Sequence, residues 1–315
     1  MAADFAKVDF VGADLSLPDL GLGPARYDEL LARADRVIHN AWPVNFNISV
    51  ASFEPHVRGV RHLVDFAARA AKRVPVVFVS SISTVMAWPS AAPVPERRID
   101  DLSVAGLGYG RSKLAGSLIL DAAAARSGIP AASVRVGQIA GPRGRAGVWN
   151  RQEYLPSLIA SSVHLGLLPS HLATGHEVDW TPVEDVAGLI LDVAGVTARH
   201  AVADITGYFH AVNPARTTWA ELAPVLADYY RGRIKKLVSF EDWLAALKRS
   251  GTADLDRNPA AKLVDMYDGM LRAFQAGHGH VNFAMERTMS YSPTVARLGP
   301  ITPDLLRNWC DQWNY

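Results

Sequence analysis

Tyr109 and Lys113 stand four residues apart in the run Tyr109-Gly110-Arg111-Ser112-Lys113, a spacing that can move a proton. On a helix, residues four apart share a face. An ammonium beside a phenol favours the phenolate and lowers the tyrosine pKa from about 10, which makes a usable general acid near neutral pH. A hydroxyl from Ser81 or Ser83, in the run Ser80-Ser81-Ile82-Ser83-Thr84, would hold a carbonyl oxygen and stabilise charge developing on it. Tyr-x-x-x-Lys alone occurs in many helices, and a strand-end serine can simply satisfy backbone groups. Order and context give the set its weight: a β-branched strand first, then the tyrosine helix, then another strand followed by Gly137-Gln138.

Elements must hold these residues in place. Residues 76–80 (VVFVS) read as a strand buried on both faces, residues 36–39 as a buried strand, and residues 131–136 (AASVRV) as another strand. Residues 8–11 form a short apolar run of the same kind, ending at Gly12. Residues 27–33, 57–72 and 110–127 carry helical patterns, with Val60, Leu63, Val64 and Ala67 on one side of the second. Strands alternating with helices predict an α/β fold, a Rossmann-like parallel sheet with helices on both faces. After about Gly137 prolines punctuate the chain. Helices are expected at 155–164, 183–194, 218–230, 241–249 and 260–275, and a strand at 208–212. The expected division is 1–140 as the dinucleotide-binding part and 141–315 as a smaller substrate-binding region, from which a strand can return to the main sheet.

Several runs narrow the reading. Gly12-Ala13-Asp14-Leu15, Val37-Ile38-His39-Asn40-Ala41-Trp42, the segment from Phe53 to Val60, Val178-Asp179-Trp180-Thr181-Pro182-Val183, His210-Ala211-Val212-Asn213-Pro214 and Leu298-Gly299-Pro300-Ile301-Thr302-Pro303 join the tyrosine motif. Together they resemble the thioester reductase domain, an extended short-chain dehydrogenase/reductase, that ends fungal adenylate-forming, NRPS-like carboxylate reductases. His56 departs from the asparagine usual in that family. The resemblance implies reduction by NADPH of an acyl thioester carried on a protein's phosphopantetheine arm, to an aldehyde or on to an alcohol. It implies that Tyr109 protonates the oxyanion, that Lys113 binds the nicotinamide ribose and biases Tyr109, and that Ser81, with Ser83 as competitor, holds the carbonyl. Asp14 and Leu15 would contact the adenine, Asn40 and Ala41 the adenosine ribose, and Gly137 and Gln138 the nicotinamide. Asp14 reads equally well as a turn or cap residue.

A dinucleotide site of this kind also needs a glycine-rich turn from a strand into a helix, where the pyrophosphate sits. Gly21-Leu22-Gly23 runs into Pro24 and follows no strand, and Gly141 to Gly147 follows a strand with no helix after it. The chain thus reads as beginning at the family's third strand, with residues 8–11 parted from their usual neighbour and one edge of 36–39 bared. Weak NADPH binding by the chain alone is the expectation. Two other functions fit: an inactive remnant or carrier-protein-binding module, and a sugar-nucleotide epimerase or dehydratase of the extended family.

Composition excludes other classes. With 315 residues, 49% hydrophobic, 20% charged and a net charge of +1, the chain is globular and lacks a nucleic-acid footprint. One cysteine, Cys310, excludes a disulfide framework within the chain. No signal-peptide or spanning segment is visible, so a cytoplasmic location is the default. Gly110-Arg111-Ser112-Lys113-Leu114 misses the hydrolase Gly-x-Ser-x-Gly at its last position. His278-Gly279-His280, with no evident carboxylate partner, reads as a solvated loop rather than a metal site. Trp219, Trp243, Trp309 and Trp313 at helical positions read as core or groove lining.

Overall fold

The computed structural model describes residues 6–173, 176–277 and 279–315. The first half supplies α1 (Pro24–Arg33), β1 (Val37–His39), α2 (Glu54–Arg69), β2 (Val76–Ser81), α3 (Gly108–Ser127) and β3 (Ala131–Val136). Short strands β4 (Ile139–Ala140), β5 (Leu167–Pro169), β6 (Glu177–Val178) and β7 (Thr181–Pro182) follow, with α4 (Tyr154–Leu165) and α5 (Val183–Val193) among them. Then come β8 (Gly207–Ala211), β9 (Thr217–Thr218), α6 (Trp219–Tyr229), β10 (Lys236–Val238), α7 (Phe240–Ser250), α8 (Val264–Gln275), α9 (Glu286–Tyr291), α10 (Pro293–Ala296) and α11 (Pro303–Trp313).

The main sheet is parallel, in the order β1-β2-β3-β8. Alternation along β2 sends Val76 and Phe78 to one face and Val77 and Val79 to the other. The first pair packs with Val60 and Val64 of α2 and Leu120 of α3. The second packs with Val134, Phe209, and Val186 and Leu189 of α5. Gly116 lets α3 settle on the Phe78 ring, where an added Cβ would lie 3.0 Å from the ring edge. The strand expected near 208–212 joins this sheet beside β3 as β8. A separate core, rich in tryptophan, is built by α4, α6, α7, α8 and α11. Trp219, Trp243, Trp309 and Trp313 are all fully buried in it.

Two expectations fail. Residues 8–11 form no strand; their backbone is irregular and Phe10 is 80% exposed. A strand is held by ladder hydrogen bonds, and among the described residues no strand lies beside this run. β1 is likewise paired along one side only. Residues 260–275 are not one helix. A 3-10 turn, Pro259–Leu263, precedes α8, and the Ala260 N–H donates to the Ser161 hydroxyl instead of to a helix carbonyl.

Candidate active site

The parallel strands end together, so His39, Ser81, Val136 and Ala211 define one carboxyl edge of the sheet. Ligands of open α/β sheets bind outside this edge. α3 starts there. Its second residue is Tyr109, and Lys113 follows one turn later. The helix start is pressed hard against its neighbours. A Cβ at Gly108 would come within 2.3 Å of the Ile48 carbonyl oxygen, and one at Gly110 within 2.3 Å of the Ser83 carbonyl oxygen. Leu107, just before the helix, has φ 47°, a strained left-handed value for a leucine. Such strain persists where the surroundings over-determine it, often at functional sites.

Ser81 and Tyr109 meet. Burial raises the Tyr109 pKa, and a hydrogen bond with the Ser81 hydroxyl works the other way. Ser81 Oγ also accepts the Ser83 N–H at 3.2 Å. Ser83 Oγ is buried with no partner. Lys113 Nζ donates to the Val79 carbonyl at 2.6 Å and lies 4.8 Å from the Trp42 ring and 4.7 Å from the Phe78 ring. Its distance to the Tyr109 ring centre is 5.9 Å. Burial pushes Lys113 down to about 7. The expected lowering of the tyrosine by its lysine is therefore absent. Desolvation of the phenol dominates, and the ammonium is turned to a backbone carbonyl.

An aromatic wall that sequence reasoning only touched at Trp42 encloses this pair. Phe46 meets the Tyr109 ring edge-on at 4.9 Å, with Phe53 at 6.2 Å. His39 stacks on Phe78 at 5.2 Å, and burial, then the Lys113 charge, lowers its pKa to about 4. His56 lies 5.9 Å from Trp42. The Nε2 of His39 and the Nε1 of Trp42 are buried without partners.

The remaining expected positions spread from this centre. Gly137 follows β3, and its N–H donates to the Ala211 carbonyl at 3.0 Å. A side chain there would collide with Val212, 2.8 Å from the added Cβ. Gln138 accepts the Thr181 N–H, and its side-chain amide turns back onto the Ile139 carbonyl. Asn40 and Ala41 are exposed beyond β1. Leu15 lies against α2, and Asp14 precedes it in the turn that closes on Leu20 and Gly21. Asp14 accepts the Ser16 N–H at 2.9 Å, and hydrogen bonding from the Ser16 hydroxyl first, then from that N–H, lowers its pKa, while the Leu15 side chain packs beside Gly59 and its carbonyl accepts from His62 Nδ1.

Other residues matter that no motif announces. Buried Arg135 donates to the Pro95 and Arg97 carbonyls and lies 4.3 Å from the Tyr208 ring, and Glu96 accepts the Arg287 and Thr288 N–H groups. Together they pin the long loop leading into α3. His280 does have a carboxylate neighbour, Asp179, at 3.3 Å; the two are a hundred residues apart in sequence, so spacing could not show it. His278 lies outside the described residues. Among the described residues no group of three or more His, Cys, Asp or Glu could hold a metal ion, and no helix is long and apolar enough to cross a membrane.

A parallel sheet with a tyrosine–lysine helix starting at its carboxyl edge defines a Rossmann-like fold. The chain belongs to the NAD-binding family described as male sterility protein, which it matches over residues 2–190. It is 51% identical over 318 residues to the carboxylic acid reductase of Neurospora crassa, covering 100% of this chain and 30% of that protein. It is 34% identical to the adenylate-forming reductase Nps10 of Heterobasidion annosum, over 98% of this chain and 28% of that one. The chain thus spans less than a third of the length of these curated relatives. Its fold is that of the terminal R domain from the myxalamid PKS-NRPS pathway, with a TM-score of 0.75, 22% identity, and 96% and 73% of the two chains covered.

Proposed function

We propose that this chain carries the reductase chemistry for a carrier-tethered acyl thioester, reducing it to an aldehyde with NADPH as the cofactor. The observation that supports it most is the convergence of Ser81, Tyr109 and Lys113 at the carboxyl edge. The family match and the names of the relatives agree with it. The orphaned buried atoms Ser83 Oγ, Trp42 Nε1 and His39 Nε2 around Lys113 suit a polar ligand such as a nicotinamide riboside, which would give them partners.

Bound NADPH would supply a hydride to the thioester carbonyl carbon. The residues of the chain do the rest. Ser81 donates a hydrogen bond to the carbonyl oxygen as charge grows there. Tyr109, kept protonated by burial, gives its proton to that oxygen. Lys113, in its charged form, stabilises the phenolate left behind and holds the ribose. The C–S bond of the tetrahedral product then breaks, releasing aldehyde and the carrier thiol. Gly137 and Gln138 border the nicotinamide, and Asn40, Ala41, Asp14 and Leu15 belong to the adenosine end. The substrate half lies mainly after residue 140, with α5 and β8 returning from it to the main sheet.

The test is turnover of an acyl-pantetheine thioester with NADPH, followed by loss of absorbance at the reduced nicotinamide band, together with a fluorescence titration of NADPH. Thioester-dependent oxidation of NADPH that Tyr109→Phe abolishes supports the reading. A folded chain that binds NADPH yet leaves every thioester untouched overturns it.

A further inference from the structure

Leu107, two residues before Tyr109, holds φ 47° and ψ 163°. That backbone region borders the one reserved for glycine, and a leucine kept there is strained. Burial does not offset the strain, because the residue is 62% exposed. A large apolar side chain is thus held in an unfavourable conformation, in water, beside the proton donor.

The junction beneath it is rigid. A Cβ on Gly108 would lie 2.3 Å from the Ile48 carbonyl oxygen and 2.8 Å from the Val50 nitrogen. The loop after β1 and the start of α3 are therefore locked together, and Leu107 takes the angles this lock imposes. Across the junction, Phe46 meets the Tyr109 ring edge-on at 4.9 Å and is still 46% exposed. Val50, in the same loop, is a further exposed apolar side chain.

Burial falls away in one direction. Lys113 and Tyr109 are buried, whereas Phe46 and Leu107 face water. The cofactor ribose belongs at the buried lysine, so the acyl end of a substrate approaches from the exposed side. The distances suit it. A tyrosine oxygen stands about 3 Å from its own ring centre, which puts the centre of the Phe46 ring within about 8 Å of the Tyr109 hydroxyl. The Cα atoms of Leu107 and Tyr109 are at most about 7 Å apart. An extended hydrocarbon adds roughly 1.3 Å per carbon, so a six-carbon acyl chain with its carbonyl at that hydroxyl covers the same interval.

We propose that Leu107 and Phe46 form an apolar rim that selects the acyl group, favouring an uncharged hydrocarbon chain over a short or charged one. This rests on the thioester-reductase reading and adds the class of acyl group and two residues that choose it. Each methylene laid on such a rim can raise affinity by up to about fourfold, less where water still reaches it. A carboxylate at the chain end forfeits the gain, since it would have to give up its hydration.

The experiment is calorimetric titration of the folded 315-residue chain with S-ethyl-, S-hexyl- and S-(5-carboxypentyl)-pantetheine, thioethers that cannot be reduced. The hexyl compound is expected to bind at least about tenfold more tightly than the ethyl one, and the carboxypentyl compound no more tightly than the ethyl one. In Leu107→Gly the hexyl-to-ethyl ratio should fall to about threefold or less, while the melting temperature holds or rises, because glycine adopts a positive φ without strain. Phe46→Ala, read in the same titration, should also lower the ratio. Equal affinities for ethyl and hexyl in the wild-type chain, as expected if the rim faces another protein surface instead, overturn the proposal. So do a ratio that survives in both variants, a carboxypentyl compound that binds as tightly as hexyl, and no binding of any of the three. A melting temperature that drops in Leu107→Gly shows that the leucine serves the fold and removes it from the rim. Reduction of hexanoyl-pantetheine by NADPH is assayed in parallel. A hexyl preference without reduction retains the rim and removes the reductase reading, and reduction without a chain-length preference does the reverse.

Discussion

The tryptophans of this molecule divide by what their indole nitrogens do. In the C-terminal core, Trp219 donates to the Pro169 carbonyl, Trp243 to the Ser162 hydroxyl, Trp309 to the Pro142 carbonyl and Trp313 to the Trp149 carbonyl. At the sheet edge, Trp42 buries its N–H with no partner, beside an unpartnered His39 nitrogen, an unpartnered Ser83 hydroxyl and a desolvated lysine. The four core indoles are satisfied within the chain, although the Tyr154 and Tyr230 hydroxyls of that core also lack partners; the edge indole has none, and a bound ligand would supply one. Proteins keep unsatisfied buried groups mainly where function needs them, since each costs about 1–3 kcal/mol.

Substitutions can break this contrast, starting with the strongest. Tyr109→Phe removes the proton donor but little packing. Turnover of an acyl thioester should fall by about 10²–10⁴-fold while the melting temperature barely moves. A variant that retains activity would dismiss Tyr109 as the acid. On the structural side, Trp243→Ala empties a fully buried site and strands the Ser162 hydroxyl. It should cost about 3–5 kcal/mol in chemical denaturation.

Lys113 offers a pH test. Its folded pKa of about 7 lies below the ordinary 10.5, so between those values the unfolded chain holds a proton that the folded chain has lost. Stability should therefore rise with pH across that window, and the cost of burying the ammonium should be full below pH 7. Lys113→Met should abolish turnover yet gain stability relative to wild type at pH 6, with the gain shrinking towards pH 10. Activity that depends on the charged lysine should decline above about pH 7. A flat stability difference between pH 6 and pH 10 would show that Lys113 keeps its proton throughout.

The smallest effect sharpens the comparison most. Trp42→Phe deletes an N–H that bonds to nothing, so its stability change should stay within about 1 kcal/mol. Trp243→Phe deletes one that is bonded and should cost about 1–3 kcal/mol. Equal costs at the two sites, measured by urea denaturation, would mean that Trp42 is as well satisfied as the core tryptophans.

Much of this was legible in the chain. The run of β2 is apolar on both faces, as a parallel central strand requires, and the tyrosine–lysine spacing is local to one helix, so its meaning survives without a fold. The helices of the second half also appeared near their expected places, because amphipathic periodicity is a property of adjacent residues. What could not be read was whatever depends on a distant partner. Residues 8–11 have strand chemistry, but a strand exists only through its ladder. Asp179 and His280 meet across a hundred residues, and Arg135 finds the carbonyls of a loop forty residues earlier. The direction of the pKa shifts was hidden for the same reason. Sequence places Lys113 beside Tyr109, whereas burial under Trp42 and Phe78, decided by how α3 docks on β2, sets the charge that each prefers. The sequence by itself determined the types and local spacing of the reactive groups. The tertiary structure decided their solvation, because desolvation depends on every neighbour that excludes water and those neighbours come from four different segments of the chain.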